Sequence, residues 1–238
     1  FWDSFMRIVE GPGCVGKPTD QSCGTGVIVF ESRSGTLFAN NCPRTKDDLL
    51  SFFRTQSRYL ISERVRQHPY SVRLSPNTTN TIRLLTCWDP DTETPFVARG
   101  FHRIGRPAMY GADNGALGGL ITQIDVSKGT LGCIAHVHDG RVEYRREHPD
   151  SGVPVYGTPI PHFERIQSTV IQMCYELNYV PYIGWDIVVT EDSFKVLELN
   201  SNTDVYGHQL FEPLLSDSRL LRFYRQFVTP KNQRYFMR

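Results

Sequence analysis

Long apolar runs are missing from this 238-residue chain. No stretch approaches the roughly 18 consecutive apolar residues that a membrane-crossing helix requires. An excess of charge is missing too: 26 Lys and Arg stand against 25 Asp and Glu. Without a global basic field, nucleic acid and anionic membranes are not expected partners. The basic runs Arg64-Val65-Arg66 and Arg145-Arg146 are too short to change that and read as solvated surface. Paired cysteines are absent. Cys14, Cys23, Cys42, Cys87, Cys133 and Cys174 are scattered, and none forms a C-x-x-C pair, so neither a zinc site nor a disulfide framework is indicated. Cys87, Cys133 and Cys174 lie among apolar residues and read as core thiols. A reducing, cytoplasmic setting is expected. The opening Phe1-Trp2-Asp3-Ser4 has no initiator methionine and no basic segment followed by an apolar one. It is not read as a signal peptide, and the chain is expected to be a fragment or a processed product.

What is present is an ordinary globular composition, 39% hydrophobic and 21% charged, long enough for one large domain or two small lobes. The first 40 residues read as β, with strands at Val27-Ile28-Val29-Phe30 and Thr36-Leu37-Phe38-Ala39. Thr45 is placed to cap a helix running to about Thr55, with acids in its first turn. Tyr59-Leu60-Ile61 reads as a strand leading into Glu63. Residues 63–80 are polar, carry Pro69 and Pro76, and read as a connection between lobes. Strands are expected at 81–87, 95–101 and 131–137, around a glycine-rich loop at 103–119. A loop of that length is uncommon unless it serves a function. The proline-rich segment 145–161 excludes regular structure. Ile166, Val170, Met173, Cys174 and Leu177 recur at helical spacing and read as a core stripe. A last helix is expected from Phe211 to Phe227, with Pro213 tolerated in its first turn. The pattern is α+β, with a smaller lobe over 1–63 and a larger one over 64–238.

Two runs carry polar residues that their apolar neighbours do not explain. Gly184-Trp185-Asp186-Ile187-Val188-Val189 and Val196-Leu197-Glu198-Leu199-Asn200 read as buried strands of one hairpin. Glu198 and Asn200, two apart, project from one face of their strand. Together with Asp186 they offer three oxygen ligands, the donor set of a Mg²⁺ site completed by waters and substrate phosphates. Near the other end, Val15-Gly16-Lys17-Pro18 is followed by Ser22-Cys23-Gly24-Thr25-Gly26-Val27. Glycines let a loop bring its N–H groups close to phosphates, and Lys17 adds a point charge. The order strand–loop–strand is not that of a P-loop, which needs a helix. Arg83 lies inside the apolar strand Thr81-Ile82-Arg83-Leu84-Leu85-Thr86. It either pairs with Glu198 or stabilises charge on a transferring phosphoryl group.

In order, Lys17-Pro18 with its glycine loop, His68-Pro69, Asn80-Thr81-Ile82-Arg83, Asp113-Asn114 with Gly118-Gly119, His148-Pro149, Gly184-Trp185-Asp186 and Glu198-Leu199-Asn200 resemble the ATP-grasp superfamily. More narrowly they resemble its sugar-transfer-associated group, related to carboxylate–amine ligases such as the α-L-glutamate ligases. The resemblance runs from Lys17 to the last helix. It implies an ATP-grasp fold with ATP between two β-rich lobes. Lys17 would meet the α- and β-phosphates under the loop carrying Ser22, Gly24 and Gly26, with Glu63 near the adenine. Asp186, Glu198 and Asn200 would hold Mg²⁺ or Mn²⁺. Arg83 and Asn114 would be catalytic, with Arg83 facing the γ-phosphate and the acyl phosphate. A small-molecule acceptor would sit near Arg103, Asp113 and His148. Members of the ligase type activate a carboxylate with ATP for attack by an amine, and the group is associated with polysaccharide and surface-sugar synthesis. Such enzymes usually carry another ATP-contacting lysine in an N-terminal region. Only sixteen residues precede Lys17 here, with Arg7 the sole cation among them. Either such a segment precedes this chain or the pocket is open on one side.

Phosphoryl transfer needs positioning and charge neutralisation more than a protein nucleophile, and the chain shows no clear nucleophile–base pair. A ligase is the leading expectation. A kinase that stops at phosphoryl transfer uses the same residues. A non-catalytic nucleotide-binding module is the reading from a different class.

Overall fold

The computed structural model describes residues 1–21, 24–111, 113, 118–138 and 140–227, with His138 described by its backbone only. Ser22, Cys23 and Asn114 lie outside these residues. Two antiparallel sheets organise the chain. The first comprises β1 (Cys14–Pro18), β2 (Ile28–Arg33), β3 (Thr36–Ala39), β4 (Cys42–Arg44) and β5 (Tyr59–Glu63), in the order β4-β3-β2-β1-β5. Helices α1 (Trp2–Val9) and α2 (Lys46–Thr55) accompany it, and Phe5, Val9, Cys14, Phe30 and Leu49 close its core. α2 begins at the expected cap. Thr45 accepts from the Asp48 N–H while Asp48 accepts from the Thr45 N–H, a reciprocal capping box.

The second sheet has seven strands in the order β10-β9-β8-β7-β6-β11-β12. They are β6 (Ile82–Asp89), β7 (Thr94–Ile104), β8 (Leu120–Asp125), β9 (Thr130–His138), β10 (Arg141–Arg145), β11 (Tyr182–Val189) and β12 (Phe194–Asn200). α4 (Phe163–Glu176) covers one face. Its Phe163, Ile166, Val170 and Cys174 meet Leu84, Trp185 and Ile187 in the main core. Trp185 is fully buried, and its indole N–H donates to Thr86 Oγ1 at 2.8 Å. On the opposite face, Leu85, Cys87 and Phe96 pack against α6 (Ser218–Arg225). The rest of that face is open toward the first sheet.

Several expectations are corrected. The first 40 residues are not all β. α1 precedes the strands, its buried Phe5 and Val9 lying four apart on one helical face, and no side-chain cap marks its start. The 63–80 connection contains α3 (Pro69–Leu74), with proline in its first turn and the His68 ring accepting from the Tyr70 N–H at 3.1 Å. The 103–119 loop is shorter than expected, because Arg103 and Ile104 still pair in β7 with Ile121 and Leu120. The expected helix from Phe211 to Phe227 is broken. A 3₁₀ turn at Leu214–Ser216 and α6 replace it, after the short α5 (Tyr206–Gln209). Pro213 disfavours helical geometry in Glu212 before it, and Asp217 starts α6 afresh by accepting from the Arg219 N–H. β12 is not buried. It is the edge of its sheet, and Leu197, Glu198 and Leu199 are exposed. Cys14, Cys87 and Cys174 are buried, while Cys133 is only half-buried; no disulfide joins the described cysteines. Burial pushes the Cys14 thiol up to about 12, so it stays protonated. Among the described residues no helix is long and apolar enough to cross a membrane.

Candidate active site

Strand register gathers the site on the open face of the seven-stranded sheet. Glu198 of β12 stands opposite Asp186 of β11, Asp186 opposite Arg83 of β6, and Arg83 opposite Phe101 of β7. These four residues form one row across four adjacent strands. Period-two alternation alone does not bring Glu198 into it. Ile187 pairs with Val196 and Asp186 with Glu198, so Leu197 has no partner and forms a bulge. A bulge re-aims the side chains that follow it. Here Val196 stays against the core while Glu198 and Asn200 turn with Asp186 toward the cleft.

Asp186 is 4% exposed and accepts three charge-assisted bonds. Arg83 donates from Nε to Oδ1 at 2.6 Å and from Nη2 to Oδ2 at 2.8 Å. Arg103 donates from Nη2 to Oδ1 at 2.5 Å. Each guanidinium is fixed from behind. Arg83 Nη1 donates to Thr203 Oγ1 at 2.6 Å, and Arg103 Nε donates to Thr81 Oγ1 at 2.8 Å. Thr81 in turn donates from its N–H and hydroxyl to Asp113 Oδ2, at 2.6 and 2.7 Å. Gly184 makes room for this cluster: a Cβ there would lie 2.4 Å from Thr203 Oγ1 and 3.0 Å from Arg83 Nη1. Thus Arg83 pairs with Asp186 and not with Glu198, the partner considered from sequence, because β6 lies beside β11 and not beside β12. Burial pushes Asp186 up to about 6 against the opposing fields of Arg103 and Arg83. Glu198 is held below its usual value. Desolvation would raise it, but bonds with Asp186 and Asn200 and the charges of Lys17 and Arg83 outweigh that.

The cleft between the sheets has a volume of about 1420 Å³. Lys17 of β1, Gly24 of the following loop and Glu63 at the end of β5 line it opposite Arg83, Arg103, Asp113, Asp186, Glu198 and Asn200. Gly24 and Gly26 both have φ of +74°, a left-handed conformation that favours glycine, and the Tyr59 hydroxyl holds Gly26 O at 3.0 Å. Part of the cleft is apolar. Leu60 and Leu197 are 48% and 42% exposed into it, beside Val15, Val27 and Val65. His148 does not line the cleft. It is buried, with Nε2 3.0 Å from Gly105 O and Nδ1 accepting the Asp150 and Ser151 N–H groups. Asp113 lines the cleft, but its Oδ2 is committed to Thr81. Arg33 of β2 donates to the Tyr110 hydroxyl at 3.0 Å, and Tyr110 donates to Glu31.

Sequence reasoning missed Thr81 and Thr203, which hold the arginines, and Leu197, whose bulge turns Glu198. Thr81 lay within the Asn-Thr-Ile-Arg motif and was a legible signal. Thr203, in the turn after Asn200, had none.

A family model described as Sugar-transfer associated ATP-grasp matches residues 2–217. The chain belongs to the sugar-transfer-associated ATP-grasp family. Its two sheets with flanking helices and a cleft between them are the α+β ATP-grasp fold. No curated protein matches the chain. Among solved structures it is similar to macrocyclase MdnC bound with precursor peptide MdnA from Microcystis aeruginosa MRC, at 14% identity and a TM-score of 0.42, covering 95% of this chain and 52% of that one. A RiPP-associated ATP-grasp ligase from Chryseobacterium gregarium, in complex with ADP and a leader and core peptide, matches at 10% identity and a TM-score of 0.47, covering 96% and 53%. D-alanine–D-alanine ligase from Bacillus anthracis matches at 12% identity and a TM-score of 0.40, covering 96% and 60%. This family member therefore spans little more than half the length of those proteins.

The donor set fits a hard divalent cation, since Asp186, Glu198 and Asn200 offer oxygens from two neighbouring strands. Among the described residues no arginine is bonded to Glu198, and its hydrogen bond from Asn200 is long, at 3.5 Å. Both oxygens of Asp186 are hydrogen-bonded to arginine.

Proposed function

We propose that this chain forms the nucleotide-binding core of an ATP- and Mg²⁺-dependent ligase that activates a carboxylate as an acyl phosphate for attack by an amine. The observation that carries this reading is the row Glu198–Asp186–Arg83, aimed into a cleft with Lys17 on its opposite wall. Two acids, two guanidinium groups and a lysine make a site for a polyphosphate and its counter-cation. Among the described residues the site shows no nucleophile–base pair, and phosphoryl transfer requires none. Membership of an ATP-grasp family supports the nucleotide.

Each residue has a physical task in this reading. Lys17 and the Gly24–Gly26 turn hold the phosphates from the first sheet. Leu60, Val65 and Leu197 give the base an apolar surface, with Glu63 at its edge. Asp186, Glu198 and Asn200 hold Mg²⁺, which neutralises phosphate charge when bound. Arg83 and Arg103 face the transferred phosphoryl group, where preorganised cations stabilise developing charge. The carboxylate and amine bind on the Arg103 and Asp113 side of the cleft. His148 fixes the Gly105 connection and takes no part in substrate contact.

The test is thermal stability with and without Mg·ATP, beside Glu198→Ala. A ligand that binds only the folded chain at a hundredfold excess over its dissociation constant adds about 2.7 kcal/mol. A Mg²⁺-dependent rise that is lost in Glu198→Ala is expected, and no rise at millimolar Mg·ATP would refute the reading. ADP release that depends on an amine then separates ligation from simple phosphorylation.

A further inference from the structure

Both oxygens of Asp186 are taken. Oδ1 receives Arg83 Nε at 2.6 Å and Arg103 Nη2 at 2.5 Å, and Oδ2 receives Arg83 Nη2 at 2.8 Å. Mg²⁺ binds carboxylate oxygen at about 2.0–2.1 Å with near-octahedral geometry. It cannot join those oxygens while two like-charged groups remain hydrogen-bonded to them. Neither guanidinium is loose. Thr203 holds Arg83, and Thr81, itself anchored on Asp113, holds Arg103. The nearest charges close on themselves: Asp113, Asp186 and Glu198 against Arg83, Arg103 and Lys17. A divalent cation entering alone would leave them with an uncompensated double positive charge. A polyphosphate arriving with the cation supplies the missing negative charge and offers the guanidinium groups a better partner, since arginine forks match phosphate oxygens.

We infer that Arg83 and Arg103 jointly fill the cation position of Asp186 until a polyphosphate draws them off, so that the divalent metal enters only together with the nucleotide. Arg103 is then a phosphate-binding residue alongside Arg83, with Thr81 and Thr203 as positioning residues. The inference rests on reading Asp186 as a metal ligand.

The test is free Mn²⁺, followed by electron paramagnetic resonance, with the folded chain present and with or without a non-hydrolysable ATP analogue. The wild type leaves Mn²⁺ free without the analogue and sequesters it with the analogue. Arg83→Met, which frees Asp186 Oδ2, and more strongly Arg83→Met with Arg103→Met, binds Mn²⁺ without nucleotide at least about tenfold more tightly than wild type. Adding Glu198→Ala removes that gain. Circular dichroism reports folding, and if the double variant fails to fold the single Arg83→Met carries the test. Equal Mn²⁺ binding by wild type with and without the analogue overturns the inference. So does the absence of any gain in the arginine variants, even where the wild type shows nucleotide-dependent binding, and in that case the nucleotide reading survives. Nucleotide-free Mn²⁺ binding by the arginine variants, with no effect of the analogue on wild type, refutes the nucleotide reading and the inference together.

Discussion

Asp186→Ala is expected to weaken the fold as well as the chemistry. The carboxylate is 4% exposed and joined to two guanidinium groups whose side chains are 14% and 17% exposed. Removing one member of a buried ion network leaves the other charges desolvated and unpaired, a cost of about 3–5 kcal/mol. For a chain of this size, each kcal/mol moves the melting temperature by about 2–4 °C, so a loss of about 6–20 °C is expected. Glu198→Ala is the control. It removes an acid of the same row from an exposed edge strand, and such surface changes stay within about 0.5 kcal/mol. Urea denaturation, followed by the fluorescence of buried Trp185 on the same strand, gives both numbers. Adding Arg83→Met to Asp186→Ala should cost less than the sum of the single changes, because the second removes a charge already stranded. Pairs in one network couple by about 0.5–3 kcal/mol. A loss below about 1 kcal/mol in Asp186→Ala, or strict additivity with Arg83→Met, would refute the network as described.

Two further outcomes follow from the core and the site. His102 is fully buried between the Tyr70 hydroxyl and the Arg103 carbonyl, and burial lowers its pKa from 6.5 to about 4. The unfolded chain takes up that proton first, so the contribution of neutral His102 is complete above pH 6.5 and lost as pH falls toward 4. The loss is about 3 kcal/mol, read as a urea midpoint that falls between pH 7 and pH 4.5 and falls less in His102→Gln; equal slopes would exclude the assignment. Gly184→Ala places a methyl 2.4 Å from Thr203 Oγ1. It should cost about 1–3 kcal/mol and weaken Mg·ATP binding, and a variant with wild-type stability and affinity would show that Thr203 does not fix Arg83.

The elements legible in the sequence were those whose signals are local. The Thr45 cap sits three residues before its Asp48 partner, and the α4 stripe repeats at one helical period. Both helices stand where the sequence put them. α1 escaped notice because no capping side chain marks it; α6 falls within the expected last helix, but its start was missed because Pro213 and Asp217 impose a break inside that run. At the site, the grouping of Asp186, Glu198 and Asn200 was readable from spacing within a hairpin. The partner of Arg83 was not. Which strand lies beside β6 is a matter of sheet order, set by contacts some hundred residues apart in the chain. The bulge at Leu197 was equally hidden, since the strand reads as regular alternation without it.

The unequal placement of the acids divides the site by what each can lose. Asp186 belongs to the interior of its sheet, where the fold depends on it, while Glu198 and Asn200 ride on the outermost strand with solvent beside them. Sequence drift at 198 or 200 therefore meets no resistance from folding. Under the proposed function, a descendant of this chain could shed turnover while remaining abundant and well folded, and its melting curve would not record the event. Drift at 186 would be purged for instability before any selection on catalysis applied.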